Sequence, residues 1–141
     1  MTILIIQGPH PTQSRLGGEL LQSLQQRVCA AGRTLELCYC LNLREFVARV
    51  RTARSRTTEF ALLDPGALAD EAQAHPDAEL RAALDELTAP YIEVHDGSST
   101  ALEPKLHPHN APLATVIING DLATSYRIAL GIALRRLTML R

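Results

Sequence analysis

The sequence predicts an α/β fold in which helices cover both faces of a parallel sheet. Short apolar runs predict the strands, and these runs are continuous rather than alternating, as is typical of strands buried on both faces. Helical patterns separate the runs, and this alternation favours a parallel sheet. The simplest arrangement is flavodoxin-like, with five strands in the order 2-1-3-4-5. The strands are expected at residues 2–6, 34–41, 60–63, 91–95 and 115–119.

Apolar residues at helical spacing predict helices between the strands. After Val28, Gly32 provides a natural C-terminal stop for the first helix. Pro90 prevents the third helix from continuing. Segments 64–76 and 96–114 are expected to be long irregular loops, a class that tends to be functional or mobile. The predicted helices span residues 18–31, 43–53, 77–88 and 123–140.

Composition limits the class of protein. A chain of 141 residues fits one domain over 1–141, and 46% apolar with 21% charged residues is typical of a folded cytoplasmic protein. A net charge near −1 argues against a nucleic-acid partner. No apolar run reaches membrane-spanning length, and no signal peptide is recognisable. Three cysteines without CxxC spacing fit reduced thiols, and we expect neither a metal nor a cofactor.

The fourth strand carries the most informative residues. Because side chains alternate along a strand, Tyr91, Glu93 and His95 share one face. A carboxylate therefore lies two residues before an imidazole at the end of the strand, and such a pair suits acid–base chemistry. Asp96 and Gly97 follow in a turn that can expose backbone N–H groups.

The predicted topology brings three polar segments together. In open α/β sheets, ligands bind at the carboxyl ends of the strands, near the point where the strand order reverses. With this strand order the point lies between strands 1 and 3, which are followed by turns at residues 7–10 and 64–67. Strand 4 is the next neighbour and ends at His95. The sequence therefore predicts a small-molecule site at this edge.

Several segments resemble the type II 3-dehydroquinate dehydratase family. The resemblance covers nearly the whole chain, and IEVH with the preceding Ala-Pro is its most specific part. The turns QGPH and DPGAL resemble the family's NGPN and NPGAY-type turns. The matching segments are residues 3–10, 64–68, 80–95 and 111–137.

The resemblance implies an elimination of water through an enolate. A lid tyrosine after strand 1 acts as the base, a lid arginine keeps it ionised, and the histidine that ends IEVH is the acid. It gives His95 the role of acid, with Glu93 as its partner. It also implies a quinate- or shikimate-like acid as ligand, no cofactor, and a homo-oligomer, a dodecamer built from trimers. The expected ligand contacts are His10, Arg15, Asp64, Gly66, Asp96, Gly97 and Ser98.

The chain departs from the family's catalytic pattern. Residues 11–16 form a shortened lid without tyrosine, and Arg15 is its only cation. Asp64 replaces an asparagine, which adds negative charge where the family binds a carboxylate. Gly97 stands where a substrate-binding serine is expected, although Ser98 follows, and Leu106 replaces a loop arginine.

These departures predict a divergent homologue with weak or no dehydration of 3-dehydroquinate. One alternative is an active lyase in which another residue or a neighbouring subunit supplies the base, with Tyr39 as the tyrosine to test. A second alternative is a non-catalytic binding or structural module. His95 could equally be a hydrogen-bonded histidine inherited from the fold, and His10 a simple turn residue.

Three other patterns are weaker. His107 and His109 lack a nearby third metal ligand. The arginines between Arg44 and Arg56 predict a solvated face or a subunit contact, and the apolar last helix is a second candidate contact. A response regulator would need an acidic cluster after strand 1, and a flavin-binding protein would need a phosphate-binding loop there. The segment QGPHPTQS provides neither.

Overall fold

The computed structural model describes residues 2–10, 17–53, 58–75, 79–97, 101–102, 106 and 108–139. Five parallel strands form one sheet in the order β2-β1-β3-β4-β5, which confirms the predicted topology. Strands β2 and β5 are therefore the edges, and β1, β3 and β4 lie inside. The strands are β1 (Thr2–Gln7), β2 (Thr34–Tyr39), β3 (Thr58–Asp64), β4 (Tyr91–His95) and β5 (Ala114–Ile117).

Within the described residues, four helices connect the strands and a fifth follows β5. Gly32, just after α1, has a φ of +75°, so it ends that helix as predicted. Helix α2 begins at a capping box, because Asn42 Oδ1 accepts from Glu45 N–H and Glu45 Oε2 accepts from Leu41 N–H. The helices are α1 (Gly18–Ala30), α2 (Leu43–Thr52), α3 (Leu68–Ala74), α4 (Leu80–Glu86) and α5 (Leu122–Met139).

The predicted elements differ from the structure in several places. Segment 64–76, expected as a loop, contains helix α3. Pro65 and Gly66 end the strand, but Leu68, Ala69 and Ala72 then form an apolar stripe that is buried in the core. Strand β2 ends at Tyr39 rather than at residue 41, and the helix predicted over 77–88 is described only over Leu80–Glu86.

Each face of the sheet has its own apolar core. Helices α2, α3 and α4 pack on one face, together with Ile6, Leu63 and Tyr91. Helices α1 and α5 pack on the other, together with Ile5 and Ile92. Alternation therefore places Glu93 and His95 on the α2–α4 side and Asp64 on the α1–α5 side. Within the described residues, no helix is both long and apolar enough to cross a membrane.

Candidate functional site

The turns after β1 and β3 are joined at the carboxyl edge of the sheet. Gly8 N–H donates to Asp64 O at 2.7 Å, and Ala67 N–H donates to Pro9 O at 2.8 Å. Gly66 has a φ of +57°, and a Cβ there would lie 2.2 Å from Pro9 O. Only glycine fits this position, so the Asp-Pro-Gly sequence is what lets the two turns approach.

Asp64 is the centre of the buried polar cluster between these turns. Its side chain is completely buried, and His10 Nε2 lies 2.7 and 2.8 Å from its two carboxylate oxygens. Tyr126 OH donates to Oδ2 at 2.7 Å, and Gln7 Nε2 donates to the same oxygen at 3.2 Å. We call Gln7, His10, Asp64 and Tyr126 the Asp64 cluster. Three donors thus compensate the charge of one buried carboxylate.

The His10 ring lies between two carboxylates. Its Nδ1 is 3.5 Å from Asp96 Oδ2, within ion-pair distance, yet Nδ1 is buried and has no hydrogen-bond partner among the described residues. Burial by itself lowers the pKa of His10, but the hydrogen bond and charge of Asp64, helped by Asp96, outweigh it and raise the pKa above the ordinary 6.5. The ring therefore favours the imidazolium form.

Tyr126 is a donor in this cluster and a poor base. Burial, the negative charge of Asp64 and the hydrogen bond to Asp64 all raise the pKa of its phenol well above 10. Because the carboxylate stabilises the O–H form, ionisation would place two anions side by side. The side chain also has no exposed surface.

The predicted acid–base pair lies on the other face of the sheet. Glu93 and His95 are both buried, and His95 Nε2 is 3.0 Å from Glu93 Oε1. The same carboxylate oxygen accepts from Leu102 N–H at 2.8 Å. Ser125 Oγ donates to the carbonyl of His95 at 2.7 Å. The imidazole is thus oriented by a carboxylate that the following loop helps to hold, which is the arrangement that acid–base catalysis requires.

Asp96 and Gly97 connect the two faces. Gly120 N–H donates to Asp96 O at 2.7 Å. Gly97 has a φ of +85°, and a Cβ there would meet Asn119 Oδ1 at 2.2 Å. The turn after His95 is therefore packed against the β5–α5 connection, while its Asp96 side chain points toward His10.

The structure brings most of the predicted site residues together. His10, Asp64, Gly66, Asp96 and Gly97 meet at the predicted edge, with Glu93 and His95 on the opposite face. Their roles in ligand contact and catalysis remain predictions. Two predicted contacts, Arg15 and Ser98, lie outside the described residues, as does His107. In the part of the chain that is described, no group of three or more His, Cys, Asp or Glu side chains could hold a metal ion.

Tyr39 lies far from the acid–base pair in the sheet. It ends the edge strand β2 and pairs with Gln7 of β1. Three strand spacings separate β2 from β4, so the backbones at Tyr39 and His95 are roughly 14 Å apart. Tyr39 instead lines a cleft of about 440 Å³ beside α2, together with Arg49.

Sequence reasoning missed the bonds that complete the site. Nothing in the local sequence of Tyr126 indicates a bond to Asp64, 62 positions away. Ser125 likewise gave no signal of its bond to His95. The Gln7 side chain could have been anticipated, because it leaves β1 beside the strand that ends at Asp64.

Comparison with known proteins identifies the family. A family model described as Dehydroquinase class II matches residues 1–134. The 3-dehydroquinate dehydratase of Stutzerimonas stutzeri is 34% identical over 120 residues, which cover 84% of this chain and 78% of that protein. The 3-dehydroquinate dehydratase 1 of Pseudomonas aeruginosa is 30% identical over 147 aligned positions, covering 96% of this chain and 97% of that protein.

Solved structures agree with this assignment at the level of the fold. The type II dehydroquinase from Butyrivibrio crossotus superposes with a TM-score of 0.69 at 18% identity, covering 94% of this chain and 97% of the other. A 3-dehydroquinate dehydratase-like protein from Bifidobacterium longum gives a TM-score of 0.62 at 18% identity, covering 96% and 97%. The predicted family resemblance is thereby confirmed, and the chain belongs to the class II dehydroquinase family.

Proposed function

We propose that this chain is a divergent class II dehydroquinase-family protein with weak or no dehydration of 3-dehydroquinate to 3-dehydroshikimate. On this proposal, the fold and the His95–Glu93 pair are retained as a binding element for a small molecule. The resemblance implies that dehydration begins when an ionised tyrosine removes a proton. The proposal rests on the absence of a tyrosine suited to that step.

All three tyrosines of the chain lie within the described residues, and each is poorly suited to be the base. Tyr126 is buried and donates to Asp64, which disfavours its phenolate. Tyr91 is also buried, and its OH donates to the carbonyl of Asn110 at 2.7 Å. Tyr39 lies on the edge strand β2, three strand spacings from β4. This arrangement is the observation that carries the proposal.

The Asp64 cluster changes the expected effect on ligand charge. The sequence predicted that Asp64 adds a negative charge to the site, but Asp64 is completely buried and pairs with His10, whose pKa its carboxylate helps to raise. The carboxylate therefore acts mainly inside the cluster. A quinate- or shikimate-like acid remains the proposed ligand class, since the charge of Asp64 is largely compensated.

The test is the enone absorbance that develops when 3-dehydroquinate is added to concentrated purified protein. The P. aeruginosa 3-dehydroquinate dehydratase 1, assayed in parallel, is the positive control. Loss of a general base commonly costs about 10²–10⁴ in rate. We therefore expect kcat/KM at least ~10²-fold below the control, and a comparable kcat/KM would overturn the proposal.

Any residual turnover is assigned with three variants. His95→Ala should abolish residual turnover if the retained histidine is the acid. Tyr39→Phe tests the alternative that the chain is an active lyase with a relocated base. Tyr91→Phe is the matched control, because it removes a tyrosine hydroxyl whose described bond is to the loop carbonyl of Asn110. Turnover abolished by Tyr39→Phe but kept by Tyr91→Phe would favour the active lyase.

A homo-oligomer, a trimer-based dodecamer, is part of the same proposal. The sheet edge and the last helix expose apolar side chains, with Ile117 46% and Ile128 42% accessible. Such side chains are common at subunit contacts. Sedimentation equilibrium measures the oligomeric state. A monomer at working concentration would exclude a neighbouring subunit as the source of the base.

A further inference from the structure

The His10 ring has an acceptor group on each side, which restricts its protonation state. Nε2 faces both carboxylate oxygens of Asp64 at 2.7 and 2.8 Å, and Nδ1 faces Asp96 Oδ2 at 3.5 Å. A neutral imidazole has one N–H and one lone pair. Either neutral tautomer therefore places a lone pair against a carboxylate, and only the imidazolium presents an N–H to both.

Among the described contacts of the His10 ring, no other charged group competes with the two carboxylates. Asp64 comes from β3 and Asp96 from the end of β4, while Gln7 and Tyr126 reach Asp64 as neutral donors. Glycine at position 66 keeps the ring close to the β3 turn, because a Cβ there would lie 3.2 Å from His10 Cδ2. The acidic side chains in the first turn of α3, Asp70 and Glu71, are exposed to solvent.

We infer that His10 is a positioning residue: as an imidazolium between Asp64 and Asp96 it helps to fix the Asp96–Gly97 turn that follows His95, and loss of its proton weakens that hold. The backbone of this turn is held by Gly120 N–H and packs against Asn119. The Asp96 side chain is held from the opposite direction by His10. The raised pKa of His10 agrees with this geometry.

The inference connects the altered part of the site with the retained part. When Nε2–H stays on Asp64, deprotonation leaves a Nδ1 lone pair facing Asp96, and attraction becomes repulsion. A ligand that contacts His95 and Gly97 would therefore bind in a pH-dependent manner, although neither residue need titrate. This consequence holds whether or not the chain dehydrates 3-dehydroquinate.

The test is an NMR titration of the full chain labelled with ¹⁵N. We expect both ring nitrogens of His10 to be protonated at pH 7. At higher pH, the His10 ring and the amides of Asp96 and Gly97 should titrate with one shared midpoint above 6.5. His109→Asn, which changes an exposed loop histidine, should leave that midpoint unchanged.

Asp96→Asn separates the proposed role from a merely structural one. An asparagine amide can donate to Nδ1, so the neutral ring would be satisfied on both sides. We expect the His10 midpoint to fall by about one pH unit or more, a roughly tenfold loss of proton affinity. Asp96→Glu, which keeps the charge, should retain most of the raised midpoint.

Three results would overturn the inference. They are a wild-type His10 midpoint at or below 6.5, Gly97 amide shifts that do not follow His10, and an unchanged midpoint in Asp96→Asn. The titrations compare wild type with a substitution of Asp96. This side chain lies at the edge of the cluster and is 13% exposed. They therefore decide the question even if a direct substitution of His10 prevents folding.

Discussion

The two polar groups at the carboxyl edge of the sheet are built differently. Asp64 accepts from three side chains, contributed by the β1 turn and by α5, and is completely buried. Among the bonds of the described residues, Glu93 pairs with His95 and accepts from the backbone N–H of Leu102. Three side-chain donors thus converge on Asp64, whereas the described bonds of Glu93 come from one imidazole and one backbone N–H.

This difference suggests that the Asp64 cluster serves the stability of the fold and that the Glu93–His95 pair is the better candidate for acid–base chemistry. Side chains that bond one another in a buried network are costly to disturb. A carboxylate-oriented imidazole keeps the ability to exchange a proton. We therefore expect Asp64, the position that departs from the family, to be mainly structural, and the Glu93–His95 pair stays the predicted acid–base element.

The largest expected effect comes from breaking the Asp64 cluster. Asp64→Ala leaves the His10 imidazolium and two further donors buried without their acceptor, so we expect a loss of about 3–5 kcal/mol in unfolding free energy. Urea denaturation measures it. Asp121→Ala is the control, because Asp121 is an exposed carboxylate whose main role is to cap α5 through Thr124, and its loss should cost about 1 kcal/mol.

Similar losses of unfolding free energy in the two variants would contradict the contrast between the buried Asp64 cluster and an ordinary surface carboxylate. A second comparison guards against an unfolded Asp64→Ala variant. Asn replaces both partners in the double variant His10→Asn/Asp64→Asn, which removes both charges together. It should be less destabilised than the sum of its two single substitutions, by about 0.5–3 kcal/mol.

The next effect concerns the turn that holds the cluster. Gly66→Ala combines an unfavourable positive φ with a Cβ 2.2 Å from Pro9 O, and we expect it to cost about 2–4 kcal/mol. Gly32→Ala is the matched control, because Gly32 has a φ of +75° but open space around the Cβ position. Its cost should be about 1–2 kcal/mol, from the backbone alone.

Thermal unfolding of both glycine variants measures the difference. A cost for Gly66→Ala no larger than that for Gly32→Ala would show that the β1 and β3 turns separate easily. The Asp64 cluster would then depend less on their close approach than its hydrogen bonds indicate.

The predictable part of this protein follows from local patterns. The continuous apolar strands and the intervening helices specify the sheet order, and period-two alternation correctly places Glu93 beside His95. Helix α3 was not predicted, because the Asp-Pro-Gly turn made residues 64–76 resemble an irregular loop. The Tyr126–Asp64 bond spans 62 positions, and no local periodicity encodes so distant a pairing.

The smallest expected effect is on the pH dependence of stability. Burial lowers the pKa of His10, but Asp64 and Asp96 outweigh it, so the folded chain binds the proton more tightly than the unfolded chain, where the pKa is near 6.5. This stabilisation is fully present below pH 6.5 and is lost as the pH rises through the raised value. The loss should be modest, because a neutral ring can still donate from Nε2 to Asp64.

Urea denaturation at a series of pH values measures this contribution. We expect the unfolding free energy of the wild type to fall above pH 6.5, whereas His10→Asn should lack this component and His109→Asn should keep it. A rise of wild-type stability in this window that is absent from His10→Asn would reverse the sign. It would mean that the folded state favours neutral His10, and hence that the ring does not bridge the two carboxylates as an imidazolium.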